Sequence, residues 1–194
     1  PFVISGSTVT FTDALFESVS GFTTTGASVI SDVEVLDKGI LFWRSLTHWI
    51  GGMGVLVFVL AVLPKADAKS GRLMHLMRAE VPGPTVGKLS PKITQTARVM
   101  YAIYVVLTLI EVVFLLFGGM SLFDALIHSF GTAGTGGFSI KNASVGAYNS
   151  AYIEYVIGAF MLLFGMNFNL FYLILIGHFL KALKSEELWS YLII

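Results

Sequence analysis

The amino-acid sequence predicts an all-α integral membrane protein, and three observations support that fold class. The chain has 194 residues, of which 55% are hydrophobic and only 12% are charged. Soluble domains carry about 25% charged residues, so this chain lacks the charge that a soluble surface needs. Three apolar stretches are long enough to cross a bilayer, and two shorter amphipathic runs each precede a segment rich in glycine and threonine. We therefore expect spanning helices combined with short re-entrant segments.

Three apolar stretches are predicted to cross the membrane as helices. Each is longer than the roughly 20 residues that a helix needs to span a hydrocarbon core of about 30 Å. They are Ile40–Leu63, Ala97–Met120 and Ala151–Leu180. Pro64 is expected to close the first helix because proline stops helices, and Gly118 with Gly119 is expected to close the second.

Two further runs are amphipathic but too short to cross. Asp13–Ser20 and Asp124–Phe130 would extend only about 10–12 Å as helices, roughly a third of the hydrocarbon core. The segments that follow them are Gly21–Ser28, here called the first filter segment, and Gly131–Ser139, the second filter segment. Irregular backbone at membrane depth is tolerated only where protein buries it or water lines it. Both units are therefore predicted to be re-entrant loops beside a pore.

The distribution of charge predicts how these segments are oriented. The stretch from residue 64 to residue 98 carries most of the basic residues: Lys65, Lys69, Arg72, Arg78, Lys88, Lys92 and Arg98. By the positive-inside rule the loop of residues 64–96 is cytoplasmic. We expect a solvated connector that could also dock a cytosolic partner or anionic lipid. Both filter segments then face the outside.

A repeat with an offset of 111 residues relates the two re-entrant units. Thr10–Ser28 aligns with Ser121–Ser139, and both begin with a capping-box pattern that starts a helix. The matched pairs are Asp13/Asp124, Ala14/Ala125, Leu15/Leu126, Ser18/Ser129, Thr24/Thr135, Gly26/Gly137 and Ser28/Ser139. Chance could give a few matches, but not readily the same topological position as well. Because both copies have one orientation, an axis along the membrane normal is expected to relate them.

The repeat divides the chain into four parts. Residues 1–63 form a first repeat without its leading helix, and residues 64–96 form the cytoplasmic loop. Residues 97–184 form a second repeat of helix, re-entrant loop and helix, and residues 185–194 begin a further helix. This division indicates a piece of a longer, multi-pass membrane protein.

The filter segments predict a potassium-channel-like pore. A potassium-selective filter replaces the water shell of the ion with backbone carbonyl oxygens, and glycine permits the backbone angles that this requires. The predicted ion-binding residues are Thr24, Thr25, Gly26, Thr135, Gly136 and Gly137. Each short helix also points its C-terminal end, about half a negative charge, toward the membrane interior, which favours a cation there. Potassium is the expected substrate, and no cofactor is expected.

Four motifs resemble the Trk/Ktr/HKT superfamily of potassium transporters. They are DALFESVSGFTTTGASV, LFWRSLTHWIGGMGVLV, RAEVPGP and FDALIHSFGTAGTGGFS, and the resemblance covers nearly the whole chain. It implies potassium uptake or symport across the cytoplasmic (inner) membrane through a pore of four such repeats, two of which are present here. It also implies a homodimer, a cytosolic nucleotide-binding regulatory subunit of the TrkA type, and one characteristic glycine per filter segment, at Gly26 and Gly137.

Other functions were weighed against potassium uptake. The second filter segment contains less threonine than the first, which leaves a less selective potassium/sodium transporter of the same superfamily open. A non-conducting structural membrane subunit also stays open, although it leaves the duplicated segments unexplained. An organic-anion transporter would need helix N-termini or arginines at the midplane. An enzyme is not indicated, because the chain has no cysteine and its histidines lack metal-ligand spacing. The net charge of zero gives no indication of nucleic-acid binding.

Several polar residues within the apolar stretches need a separate explanation. Glu111 lies mid-span, where a carboxylate costs about 3 kcal/mol. It is either an ion or proton site, or a support that is hydrogen-bonded inside the bundle. Asn167 and Asn169 could line an inner cavity or bond across helices. Snorkelling and packing are expected to explain Arg44 and His48.

Two local features are expected to support this arrangement. His128, inside the second short helix, is expected to bond locally behind the second filter segment. The sequence GGMG at Gly51–Gly54 permits close helix contact or a bend, and close contact is favoured.

Overall fold

The computed structural model describes residues 1–7, 10–54, 93–175 and 177–193, and every regular element in these ranges is helical. In chain order they are α1 (Phe11–Phe22), α2 (Lys38–Gly52), α3 (Ile93–Phe117), α4 (Leu122–Ala133), a 3-10 helix (Ser144–Tyr148), α5 (Ala151–Gly165), α6 (Phe168–Leu175), α7 (Phe179–Leu183) and α8 (Glu186–Ile193). The prediction of an all-α fold is confirmed for these residues. The end of the first predicted span, from residue 55 onward, and the basic loop up to residue 92 lie outside the described residues.

The two short helices form where the sequence predicts them. α1 and α4 each contain 12 residues, about 18 Å of helix, which cannot cross a hydrocarbon core of about 30 Å. α1 starts with a complete capping box, in which Thr10 Oγ1 accepts from the Asp13 amide at 3.1 Å and Asp13 Oδ2 accepts from the Thr10 amide at 3.2 Å. At α4 the Ser121 hydroxyl accepts from the Asp124 amide at 3.1 Å, so both copies use the predicted cap residue.

Among the described residues, one helix is long and apolar enough to cross a membrane, and it lies within α3. Its apolar part, Ala97–Phe117, has 21 residues and contains an 18-residue window with a mean hydropathy of 2.5. α3 stops at the two glycines that were predicted to close it, and Gly119 adopts a φ of +89°. A left-handed glycine just after the last turn is a common helix stop, because glycine adopts this conformation without steric cost.

The first predicted span, Ile40–Leu63, is not one continuous helix. α2 ends at Gly52, and Gly54 adopts a φ of +77°. Close packing explains why glycines occupy these positions. A Cβ on Gly51 would overlap the backbone of Phe22, and a Cβ on Gly52 would overlap the hydroxyl of Tyr104 in α3. The GGMG sequence therefore provides the close helix contact, and α2 ends within it.

The third predicted span, Ala151–Leu180, is also wrong as a single helix. α5 ends at Gly165, the next residue is extended with a ψ of 153°, and the chain resumes as α6. A second interruption follows at Gly177, which has a φ of +81°. Glycine and asparagine are weak helix formers, and the side chain of Asn167 donates to Glu187 of α8 at 2.9 Å. This hydrogen bond to α8 therefore stabilises the chain at the interruption between α5 and α6.

α2 lies between the two short helices and joins the repeats. It packs against α1 and against α4, and α4 also packs against α3 and α5. One cluster of buried side chains fills the space where the end of α2 meets α3, α5 and the end of α4: Met53, Ala97, Met100, Ile103, Tyr104, Ala133, Phe160, Phe164 and Phe168. This core fixes α4, and with it the start of the second filter segment, relative to α2.

Candidate functional site

The two filter segments share a backbone conformation at equivalent positions. Thr24 and Thr135 both have a φ of 55°, and Gly26 and Gly137 have φ values of 74° and 75°. A β-branched residue rarely adopts a positive φ, whereas glycine does so freely. The repeat found in the sequence therefore extends to the backbone of individual residues, and a side chain at either glycine would strain it.

The structure brings predicted ion-binding residues of the two segments into direct contact. A Cβ on Gly26 would overlap the carbonyl group of Gly136, and one on Gly136 would approach the Thr24 carbonyl oxygen to 2.6 Å. The two backbones thus meet without intervening side chains. Gly137 differs, because no described atom lies within 4 Å of the position that its Cβ would take. This side of the second segment is open in the part of the chain that the structure describes.

Hydroxyl groups tether the first filter segment to its own helix. Thr23 Oγ1 donates to the carbonyl of Val19 at 2.7 Å and lies 2.8 Å from Thr25 Oγ1. Ser20 Oγ donates to the carbonyl of Ala27 at 2.5 Å. These bonds hold the first filter segment close to the end of α1.

Glu17 of α1 fastens the outer end of the first filter segment. Its side chain is fully buried, and Oε1 accepts from Ser28 Oγ at 2.6 Å and from the Val29 amide at 2.7 Å. The second carboxylate oxygen, Oε2, accepts from Arg44 Nε at 3.0 Å. A buried carboxylate is costly unless it is paired and hydrogen-bonded. These bonds meet both conditions.

Arg44 of α2 connects this carboxylate to the second filter segment. Its Nη1 donates to the carbonyl oxygen of Ser139 at 3.2 Å, and its guanidinium carbon lies 3.6 Å from the centroid of the Phe138 ring. Of the snorkelling and packing expected for Arg44, snorkelling is wrong, because the residue is 4% exposed and turns inward to Glu17, whereas packing is found against Phe138. Sequence reasoning missed this pair, although two opposite charges in membrane-embedded segments were a signal that they satisfy one another.

His48, one turn after Arg44, supports the second filter segment by packing. Its ring is fully buried, and the ring centroid lies 4.6 Å from that of Phe138. A Cβ on Gly134 or on Gly136 would overlap the imidazole. The packing expected for His48 is confirmed, and these glycines give the imidazole room against the backbone.

His128 of α4 holds the second filter segment at the position equivalent to Glu17. Nδ1 lies 2.8 Å from the Asp124 carbonyl oxygen, and Nε2 lies 3.0 Å from Ser139 Oγ. Since a carbonyl oxygen can only accept, Nδ1 donates, and in a neutral imidazole Nε2 then accepts from the serine hydroxyl. The Asp124 side chain in turn accepts a hydrogen bond from the Tyr148 hydroxyl at 3.1 Å. Partial burial and the nearby Asp124 raise the pKa of Tyr148, so this hydroxyl keeps its proton. The local bonding expected for His128 is confirmed.

Glu111 projects from α3 into the protein and is fully buried. Thr132 of α4 is its neighbour, but the Thr132 hydroxyl donates to the His128 carbonyl at 2.9 Å. Within the described residues no hydrogen bond reaches either carboxylate oxygen of Glu111. Its interior position agrees with both sequence-based interpretations, whereas the hydrogen-bonded support that one of them expects is not found there.

The two asparagines near the end of the chain were expected to line a cavity or to bond across helices. Asn167 bonds to Glu187 of α8 through its side-chain amide, at 2.9 and 3.1 Å to the two carboxylate oxygens. Asn167 therefore makes the cross-helix bond that one alternative expects, and it also lines a small cavity beside α8. The side chain of Asn169 lies outside the described residues.

Comparisons with known proteins identify the family. Residues 1–190 match the family described as TrkH, cation transport protein. The chain belongs to the TrkH family. Its relatives include the Trk system potassium uptake proteins TrkH and TrkG of Escherichia coli K12, which are 44% identical over 184 residues and 41% identical over 188 residues. These alignments cover 94% and 96% of this chain but only 38% of each relative, so the chain spans less than two fifths of their length.

A solved TrkH structure has the same fold. The crystal structure of the potassium transporter TrkH from Vibrio parahaemolyticus matches with a TM-score of 0.67 at 37% identity, covering 87% of this chain and 32% of that chain. The resemblance to the Trk/Ktr/HKT superfamily and the all-α membrane fold with channel-like repeats are confirmed. These TrkH-family relatives are named as uptake proteins or transporters, and none of the three is named as an enzyme.

Proposed function

We propose that this chain supplies two repeats of a Trk-type potassium uptake pore, in which ions pass along the filter segments. The observation that carries the proposal is the contact between the segments, where Gly26 lies against the Gly136 carbonyl and both segments repeat the same positive-φ pattern. The proposed ion-binding residues are Thr24, Thr25, Gly26, Thr135, Gly136 and Gly137. The names of the relatives, which are potassium uptake proteins, support potassium as the substrate.

Carbonyl coordination accounts for this backbone pattern. Oxygens can replace the water shell of a potassium ion only where several of them face one side of the chain. In an extended strand neighbouring carbonyls alternate, and positive-φ residues such as Thr24 and Gly26 interrupt the alternation. Thr25, Thr135 and Gly137 are exposed in this chain, which leaves the backbone around them accessible to an ion.

The proposed orientation places both filter segments toward the outside of the cytoplasmic (inner) membrane. The basic loop, residues 64–96, then lies in the cytoplasm, as the positive-inside rule requires. Residues 1–63 and 97–184 are the two repeats, and residues 185–194 begin a further helix. Since the chain covers 38% of its relatives, further repeats complete the proposed pore, together with a second copy of the full chain and a cytosolic nucleotide-binding regulatory subunit of the TrkA type.

The test uses the full-length protein in cells that lack other potassium uptake. Potassium and sodium uptake are measured for the parent, Gly26→Ser and Gly137→Ser, with Gly39→Ser as the matched control. Gly39 has nothing within 4 Å of an added Cβ and lies in the first turn of α2. We expect the parent to restore potassium uptake, the two filter variants to lower the potassium/sodium ratio, and the control to keep it.

Each other outcome has a defined meaning. A parent that restores no potassium uptake would contradict the transport function. An unchanged ratio in both filter variants would show that selectivity is set by other residues. Equal uptake of sodium and potassium by the parent would favour the less selective transporter, for which the lower threonine content of the second segment is the supporting observation.

A further inference from the structure

Arg44 contacts the surroundings of both filter segments, although it belongs to neither. Its Nε bonds the Glu17 carboxylate at 3.0 Å, and that carboxylate accepts from Ser28 and Val29 at the outer end of the first segment. Its Nη1 donates to the carbonyl of Ser139, the last residue of the second segment, at 3.2 Å. One guanidinium therefore connects the two places where the chain leaves the filter segments.

The buried environment of Arg44 means that these contacts limit how far the second filter segment can move. Arg44 is 4% exposed and Glu17 is fully buried, so water competes little for the charge-assisted hydrogen bonds. The Phe138 ring covers the guanidinium at 3.6 Å, in the range of a cation–π contact. A shift of Ser139 by about 1 Å would break its bond and leave a buried donor unsatisfied. The second segment is thus held at one position relative to α2.

Charge neutralisation alone does not require this arrangement. Glu17 and Arg44 already neutralise each other across α1 and α2, and the bond to Ser139 adds no charge partner. That bond instead acts on the backbone of a filter segment that belongs to the other repeat. A different ion pair, Lys141–Glu34, also joins the repeats at 3.3 Å, but its side chains are 37% and 42% exposed.

We propose that Arg44 is a positioning residue for ion selectivity, which couples the first filter segment, through Glu17, to the second, through Ser139 and Phe138. The proposal rests on the proposed function, since it assumes that ions pass along these segments. Arg44 acts through its neighbours and does not itself contact the ion. Selectivity then depends on a residue of α2 that lies outside both threonine- and glycine-rich segments.

The main experiment compares Arg44→Gln with Lys141→Gln in the full-length protein. The control, Lys141→Gln, also replaces a cation of an ion pair by an amide. The side chains of that pair, Lys141 and Glu34, join the two repeats but do not contact a filter segment. Potassium and sodium uptake are measured in cells, and melting temperature is measured on purified protein. We expect Arg44→Gln to lower the potassium/sodium uptake ratio about tenfold, as for one lost charge-assisted hydrogen bond. Lys141→Gln should leave the ratio within about twofold, because exposed pairs contribute little.

Two further variants separate positioning from stability. Arg44→Lys keeps the charge but loses the planar fork of donors, so the melting temperature should recover more than the uptake ratio. The double variant Glu17→Gln/Arg44→Gln leaves no unpaired buried charge, yet no long donor reaches Ser139. Its ratio should stay low. A double variant with the melting temperature and the ratio of the parent would overturn the proposal, as would an Arg44→Gln protein with an unchanged ratio.

Phe138→Leu decides the question if the Arg44 variants do not reach the membrane. It keeps an apolar side chain and removes the ring that covers the guanidinium, so a lowered ratio supports the proposal and an unchanged ratio overturns it.

Gly26→Ser in the same assay separates the role of Arg44 from the proposed filter itself. If Gly26→Ser lowers the ratio and these variants do not, only the role of Arg44 is wrong. If Gly26→Ser has no effect either, the proposed filter is wrong.

Discussion

The outer ends of the two filter segments differ in their surroundings. Residues 27–29 are exposed, whereas the equivalent residues 138–140 are buried. α2 explains the difference, because it places Arg44 and His48 behind the second segment, and no helix among the described residues covers the first in the same way. The second filter segment is thus supported by the helix that follows the first.

The two repeats attach their filter segments at the same point with different chemistry. Glu17 and His128 are equivalent, and each bonds the serine that ends its segment, at 2.6 and 3.0 Å. A buried carboxylate needs a cation, which Arg44 provides, whereas a neutral imidazole needs none. The position equivalent to Arg44 in the second repeat holds Tyr155, which is 80% exposed in this chain. The repeats have kept the geometry of the attachment and changed its charge.

A further difference lies where each short helix meets its filter segment, and it gives the largest expected effect. Ser20 donates to the Ala27 carbonyl at 2.5 Å, but at the equivalent Gly131 an added Cβ would overlap the Phe138 carbonyl. Gly131→Ser, which copies the first repeat into the second, should therefore force the buried segment out of place. The overlap is with backbone atoms, so no side-chain rotation can relieve it, and we expect little folded protein and no potassium uptake.

The reciprocal change, Ser20→Gly, is the control for Gly131→Ser. It removes one hydrogen bond, about 1 kcal/mol, and replaces serine by the weaker helix former glycine in α1, at about 0.5 kcal/mol more. Melting temperature and yield of the two variants show the asymmetry directly. Equal stability of both would contradict the close approach at Gly131.

The charge difference between the two attachments predicts the next largest effect. Glu17→Gln leaves Arg44 buried without its partner, which should cost about 3–5 kcal/mol. His128→Gln leaves no charge behind, and an amide can still bond the serine hydroxyl, so the cost should be about 1 kcal/mol. Chemical denaturation of the two purified variants measures this. Equal losses would mean that the charge of the first attachment contributes nothing.

Much of this comparison follows from the sequence, because the features that determine it are local. Capping patterns predicted α1 and α4, hydropathy predicted α3, and the offset of 111 residues paired the equivalent positions. The bonds of Arg44 were missed because its partners are distant in the sequence: Glu17 is separated from it by 27 positions and Ser139 by 95. No local spacing pattern can reveal such contacts. The helix ends at Gly52 and Gly165 were missed for a related reason, since contacts with other helices accompany each of them.

Two carboxylates, Glu17 and Glu111, are fully buried among the described residues, and their surroundings differ as much as those of the two filter segments do. Glu17 accepts hydrogen bonds from Ser28, Val29 and Arg44. Glu111 receives none within the described residues. A buried carboxyl group is costly unless it is paired and hydrogen-bonded, so Glu17 has stabilising contacts that Glu111 lacks within the described residues.

The last and smallest expected effect is on stability, and it follows from the missing partners of Glu111. Glu111→Leu removes a polar group that no described residue bonds, so stability should be unchanged or higher by about 1 kcal/mol. Glu111→Gln keeps an unsatisfied polar group and should not be more stable than the parent. Potassium uptake should survive both changes if the carboxyl is only a buried neutral group. If Glu111 binds an ion or a transported proton, both variants should lose uptake while remaining folded. Melting temperature and potassium uptake, measured side by side on the two variants, decide between these roles, and a stable Glu111→Gln protein without uptake would place Glu111 in the transport mechanism.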